Sequence, residues 1–315
     1  MREILGIHHV TAIAGDAQRN LDFYTGILGL HLVKLTVNYD DPGAYHLYYG
    51  DATGRPGTIL TFFAWPNAPR GRRGTQQVTV ISFAVPEHAL SYWARRFTDH
   101  GIVFEKPATR LGEDSLIFFD PDGLQLELIA QPGAPAIAPW QEGLADEYAI
   151  RGFRGVTLTE ASTERTASVL EAMGWRLAAE AGDHLRYQIG EGGLGARVDV
   201  LRRPHENPGR VAVGTVHHVA WRTPNDEQQL AWRQELLSRG LNVSPVMDRH
   251  YFHSIYFREP GGVLFEIATD TPGFTIDEPP DRLGAGLRLP PWMERNRAQI
   301  EQGLPSIESR KVHRK

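Results

Sequence analysis

The sequence predicts an α+β fold assembled from four copies of one β-α-β-β-β unit, and three observations carry that prediction. Four short apolar strands recur along the 315 residues, each is followed by a stretch with apolar residues at helical spacing, and the units close on turns rich in Pro and Gly. Residues 1–140 hold units one and two, 150–273 hold units three and four, and 274–315 form a tail.

Taken in order, the opening strands are IHHVTAI (7–13), QVTVISFAV (77–85), FRGVTLT (153–159) and VHHVAWR (216–222). The helical stretches that follow are NLDFYTGILGL (20–30), ALSYWARRF (89–97), RTASVLEAMGW (165–175) and QLAWRQELLSRGL (229–241). Their apolar residues recur at i, i+3 and i+4, and in three of the four a Gly stands where a C-cap needs one. FFDPDGLQLELIAQP (118–132) and FREPGGVLFEIATDTP (257–272) read as hairpin turns running into closing strands. Loop-like segments separate the units: the basic PNAPRGRRG (66–74), the Pro-rich PGAPAIAPW (132–140) and PHENPGR (204–210). In the tail, Pro290 and Pro291 precede a short helix that covers the fold.

Aligning the closing strands places Thr61, Glu127, Asp199 and Glu266 at one repeat position. The opening strands place His9, Val80, Gly155 and His218 together, with His8, Thr79, Arg154 and His217 one residue earlier.

Composition removes several kinds of chemistry. No cysteine occurs, so disulfides, thiolate nucleophiles and Cys-type metal sites are excluded, and any metal must rest on His, Asp or Glu. A formal charge of -5 gives no global reason to bind nucleic acid or an anionic membrane. Neither a secretory signal nor an 18-residue apolar run is present, so the expectation is a cytoplasmic protein with no membrane partner.

Histidine makes up 13 of 315 residues, so a vicinal pair at the same repeat position in units one and four is hard to credit to composition alone. Unit four also supplies a closing-strand carboxylate, Glu266. Two imidazoles and one carboxylate are a donor set that holds a divalent metal on one face and leaves positions open. Periodicity does not decide which histidine of each pair points inward, because both parities carry apolar neighbours.

The repeated unit, the DPDG-type ending at 118–128 and the opening HHV strand resemble the vicinal oxygen chelate superfamily of glyoxalase I, bleomycin-resistance proteins and extradiol dioxygenases. More narrowly, IHHVT, FYTGILGLHLVKLTVNYDDPGAYHLYYGD, VHHVAW, DRHYFHSIYFREPGGVLFEIATD and the tail look like the hydroquinone and chlorohydroquinone ring-cleaving dioxygenases. The resemblance implies four modules forming two open mixed-sheet barrels. It also implies Fe(II), with Mn(II) as the alternative ion, held by His9, His218 and Glu266, with His8, Thr11, His217, Arg249 and Tyr256 around the substrate. The partners it implies are a small para-dihydroxy aromatic, with or without chlorine, and O2; self-association stays open. Tyr256 has support of its own, because Tyr256 and Glu266 flank the EPGG turn at near-equal distances and so face each other across a hairpin. His250 and His253 read as loop or supporting residues.

Within the superfamily, three other activities remain as alternatives. A glyoxalase-like lyase would need a fourth ligand where unit one has Thr61. A catechol extradiol enzyme would take its first ligand from unit three, where Gly155 stands. A metal-free binding or resistance protein would not need two histidine pairs. Because a metal draws its ligands within about 2–2.5 Å, the metal barrel is expected from units one and four. Glu127 and Asp199 then read as structural acids.

Overall fold

In a computed structural model, residues 2–134 and 144–308 are described; residues 135–140 of the Pro-rich segment, with the boundary expected at 140, lie outside them. Unit one comprises β1 (Ile7–Ala14), α1 (Ala17–Leu21), β2 (His31–Asn38), β3 (Asp41–Gly50) and β4 (Ile59–Ala64). Unit two has β5 (Gln77–Pro86), α2 (Leu90–Asp99), β6 (Ala108–Arg110), β7 (Glu113–Phe119) and β8 (Gln125–Gln131). In unit three they are β9 (Phe153–Glu160), α3 (Glu164–Ala172), β10 (Arg176–Ala181), β11 (His184–Gln188) and β12 (Arg197–Arg202). Unit four runs through β13 (Val216–Thr223), α4 (Asp226–Ser238), β14 (Met247–Asp248), β15 (Phe252–Arg258) and β16 (Leu264–Pro272), and the tail carries α5 (Arg297–Gly303).

The strands form two eight-stranded mixed sheets, ordered β14-β15-β16-β13-β1-β4-β3-β2 and β10-β11-β12-β9-β5-β8-β7-β6. Units one and four therefore share the first sheet, joined by the antiparallel pair β1/β13, and units two and three share the second through β5/β9. Two such sheets, each built from two units, are what the resemblance implies. Each opening strand runs parallel to its own closing strand, so donors from both can project from one concave face.

The helix of unit one departs from its expected span. Asp16 caps Ala17–Leu21 by accepting from the Arg19 amide, and the chain then widens into a π-helical turn over Asp22–Ile27. The apolar residues expected to line a regular helix, Phe23 and Tyr24, are buried on that wider turn.

One continuous apolar core runs through residues of both sheets and the helices. Trp175 of unit three and Trp221 of unit four meet edge to face at 5.2 Å across the middle. Each indole buries roughly 150–250 Å², an upper bound of about 4–6 kcal/mol per side chain. The basic loop 66–74 is largely exposed, and from it and the following Thr75 the chain bridges to the linker before unit four, at Arg70 with Val213, Arg72 with Arg210 and Thr75 with Pro208. A Cβ at Gly74 would stand 2.3 Å from the Asn207 carbonyl oxygen, so only glycine permits that approach.

The tail covers the first sheet. Lys34 of β2 is fully buried and reaches Asp277 and Glu278 at 2.6 and 2.5 Å, while Tyr45 donates to the Pro305 carbonyl. Among the described residues, no helix is long and apolar enough to cross a membrane.

Candidate metal centre and active site

The concave face of the first sheet brings His9 (β1), His218 (β13) and Glu266 (β16) together. His9 Nε2 lies 3.3 Å from His218 Nε2 and 3.3 Å from Glu266 Oε2, and His218 Nε2 lies 2.9 Å from Glu266 Oε2. All three residues are buried, and they form the one metal-capable cluster found among the described residues. Ser254 donates to Glu266 Oε1 at 2.5 Å, whereas Oε2 receives no well-formed hydrogen bond. Burial alone would raise the Glu266 carboxyl, but the facing imidazoles outweigh it and hold it well below the usual carboxylate range. Burial pushes His218 down, which favours a neutral ring with a free lone pair. Ligand atoms about 2.1 Å from one ion, at right angles, stand about 3.0 Å apart, so these spacings fit one face of a metal's coordination shell.

The vicinal histidines owe their arrangement to β-bulges. Between β1 and β13 the register skips at His8 on one strand and at His217 on the other. The second sheet skips at the repeat-equivalent residues Thr79 and Arg154. A bulge inserts one unpaired residue and breaks the alternation of faces, so both rings of a pair can approach each other. His8 Nδ1 lies 2.9 Å from His9 Nδ1, and His217 Nδ1 lies 2.7 Å from His218 Nδ1. If Nε2 of His9 and His218 offers a lone pair to a shared ion, Nδ1 must carry the proton and donate, and His8 and His217 must accept. Both accepting rings are pushed down by burial, His217 to about 3, which suits neutral acceptors.

A cavity of about 340 Å³ opens in front of the trio. Its wall includes His9, His218, His217, Thr11, Tyr256 and Arg249, whereas His8 lies behind His9 with its ring against Phe252. Tyr256 pairs in register with Glu266. Arg249 donates from Nε to the Tyr256 hydroxyl at 3.2 Å and pairs through Nη1 with Asp40 at 3.1 Å. Burial raises the Tyr256 phenol well above its ordinary value, so it is a neutral donor, while Arg249 is a permanent cation at the same wall. His250 and His253 pair with Asp277 and Asp226 and do not line this cavity.

The cavity also holds residues that the sequence reading passed over. His46 and Tyr48 of β3 line it, and Tyr48 pairs in register with Thr61 as Tyr256 does with Glu266. Laying YHLYYG (45–50) over HSIYFR (253–258) would have set His46 on Ser254 and Tyr48 on Tyr256, because both segments are the third strands of their units.

Three comparisons place the chain. Residues 6–128 and 171–267 match the model of the Glyoxalase/Bleomycin resistance protein/Dioxygenase superfamily. "Putative ring-cleaving dioxygenase MhqO" of Bacillus subtilis (strain 168) is 46% identical over 313 residues, covering 99% of each chain. The "Chlorohydroquinone/hydroquinone 1,2-dioxygenase" of Sphingobium indicum is 36% identical, with 92% of each chain covered. A crystal structure of a "putative dioxygenase" from Bacillus subtilis superposes with a TM-score of 0.94 at 44% identity, covering 99% of this chain and all of that one. Maize glyoxalase I, at 16% identity and a TM-score of 0.65 over 84% of this chain and 92% of that one, shares the fold. The chain belongs to the Glyoxalase/Bleomycin resistance protein/Dioxygenase superfamily, and the Bacillus and Sphingobium relatives that match nearly all of it are dioxygenases by name.

Proposed function

We propose that the protein is an Fe(II)-dependent ring-cleaving dioxygenase acting with O2 on hydroquinone-type aromatics, with His9, His218 and Glu266 as the iron ligands. The observation that carries this reading is the convergence of two imidazole Nε2 atoms and one carboxylate Oε2 within 3.3 Å of one another at the wall of an aromatic-sized cavity. Mn(II) would find the same donors. Bound iron would supply a Lewis acid that favours an ionised phenol and a place for O2 beside it.

The chain's own residues do the rest. Phe63, Trp65 and Phe252 give the cavity apolar walls for a ring, and Thr11 offers a hydroxyl. Tyr256 donates to a substrate oxygen while Arg249 stabilises its negative charge. His217, neutral and in the wall, accepts from His218 at Nδ1 and so presents its Nε2–H to the cavity, where it can donate to a substrate oxygen. His8, behind His9, acts by holding that ring rather than by touching substrate.

A hydroquinone has one oxygen at the metal and its second across the ring, so the protein must orient the remainder; a catechol presents two adjacent oxygens. The polar wall of Tyr256, Arg249 and Thr11 supports the para reading, as does the hydroquinone relative's name. Anaerobic reconstitution with Fe(II) or Mn(II), followed by oxygen uptake with hydroquinone, chlorohydroquinone, catechol and a hemithioacetal, tests this. Hydroquinones should give the highest kcat/KM, with iron required. Faster turnover of catechol, or turnover of hemithioacetals alone, would overturn the substrate assignment.

A further inference from the structure

Where unit four presents Ser254 and Glu266, unit one presents His46 and Thr61 at the matching register positions. These two residues belong to a linear chain of hydrogen bonds. Tyr48 Oη lies 2.9 Å from His46 Nδ1, His46 Nε2 lies 2.7 Å from Thr61 Oγ1, and Thr61 Oγ1 lies 3.0 Å from Thr11 Oγ1. All four residues are buried, and Tyr48, His46 and Thr11 face the cavity.

The chain has a proton count that gives it a direction. Three hydroxyls and one neutral imidazole bring four protons to three bonds, so one proton is left at an end. With the His46 proton on Nε2, Tyr48 donates to Nδ1, His46 donates to Thr61, Thr61 donates to Thr11, and the Thr11 proton is left for the cavity. With the proton on Nδ1 every bond reverses and Thr11 becomes an acceptor. The His46 tautomer therefore decides what Thr11 offers a ligand. Burial holds the ring well below its ordinary value, which keeps it neutral and the count intact.

We propose that Tyr48, His46 and Thr61 are positioning residues that fix the Thr11 hydroxyl as a donor to the ionised oxygen of a phenolic substrate. The proposal rests on the phenolic reading above. Electrostatics select the donating direction: a phenolate in the cavity attracts the spare proton to the Thr11 end, and Tyr48 at the far end is a better donor than acceptor. A carboxylate in place of Thr61 would end the chain and add a second negative charge to the wall. Thr61 instead converts that repeat position from a ligand site into a link.

A double-mutant cycle tests the relay, read as the anaerobic Kd of hydroquinone for the Fe(II) protein and as kcat/KM. Thr11→Val should weaken both by about 10-fold or more, the loss of a hydrogen bond to a charged oxygen. Thr61→Val and Tyr48→Phe should each cost about 3- to 10-fold with bound iron unchanged. In the Thr11→Val background Thr61→Val should add nothing, because its effect passes through Thr11. His46→Gln, whose carboxamide can accept from Tyr48 and donate to Thr61, should stay near wild type where His46→Leu does not. A full further loss on combining Thr11→Val with Thr61→Val would overturn the relay, as would single variants that bind hydroquinone as wild type does. A wild-type protein that bound no phenol would overturn the substrate reading and the relay together.

Discussion

The two half-barrels share a strand plan and differ in what balances a buried carboxylate at the same position. In the first sheet, Glu266 faces the imidazoles of His9 and His218, of which burial pushes His218 down, and its Oε2 receives no well-formed hydrogen bond. In the second, the equivalent Asp199 accepts from Arg186 through both carboxylate oxygens, at 2.9 and 3.1 Å, and lies 3.1 Å from His184. Burial would raise the Asp199 carboxyl, but the His184 contact and the arginines bring it down to about 2. Glu113 completes this centre by pairing with Arg154, Arg186 and the buried Arg197. One half-barrel thus satisfies its carboxylate with guanidinium groups of the chain, and the other leaves room for a cation from outside. Unit three could not simply regain a histidine, since a Cβ at Gly155 would stand 2.7 Å from the Arg197 carbonyl oxygen.

The sharpest way to break this comparison is to remove the acid on each side. Glu266→Gln, or His9→Ala, should abolish turnover and reduce bound iron to background by elemental analysis, whereas Glu127→Gln should keep its iron. Comparable metal loss in Glu127→Gln would erase the distinction between the sheets. Asp199→Asn should keep iron as well but lose stability, by about 1.5–3 kcal/mol, because Arg186 loses its charged acceptor while Glu113 still pairs with Arg186 and Arg197; chemical denaturation measures this. Tyr256→Phe should lower kcat/KM for hydroquinone by about 10- to 150-fold with iron retained, the range for one hydrogen bond to a charged group.

The last effect concerns the seam between the sheets. Glu160 at the end of β9 lies near Glu259 in the turn of unit four, and burial, with help from that second carboxyl, raises Glu160 to about 9. A raised acid binds its proton more tightly in the folded state. Its contribution to stability is complete below the unfolded value near 4.5 and is lost as pH rises towards 9. Stability should therefore fall between those limits, and Glu160→Gln should flatten the slope. A variant whose melting temperature kept the wild-type pH dependence would remove this coupling.

The four units, their opening strands and the equivalence of Thr61, Glu127, Asp199 and Glu266 are legible in the sequence because apolar periodicity and Pro-Gly turns mark strands and their ends. The orientation of the vicinal histidines is not, since a bulge has no fixed residue signature: His8, Thr79, Arg154 and His217 all occupy one. β1 is buried along its whole length, which erases the alternation that would have assigned its faces. The π-helical turn in unit one escapes for a related reason, because its apolar residues fit an α-helical spacing as well. His46 goes unseen when only opening and closing strands are aligned; the third strands hold the signal.

The order of the strands also sets a timetable for synthesis. The second sheet is nested between the strands of the first and is complete once residue 202 has been made, while β1, made before every other strand described, has its antiparallel neighbour β13 only after residue 216. At 5–20 residues per second, the stretch from 202 to the end of β16 at 272 takes roughly 4 to 14 s. For that interval a nascent chain can hold a finished, arginine-filled half-barrel beside an open one. No nascent chain that stops short of residue 266 contains all three donors of the trio, so any metal they hold can be captured through them only after the second sheet's strands have been made.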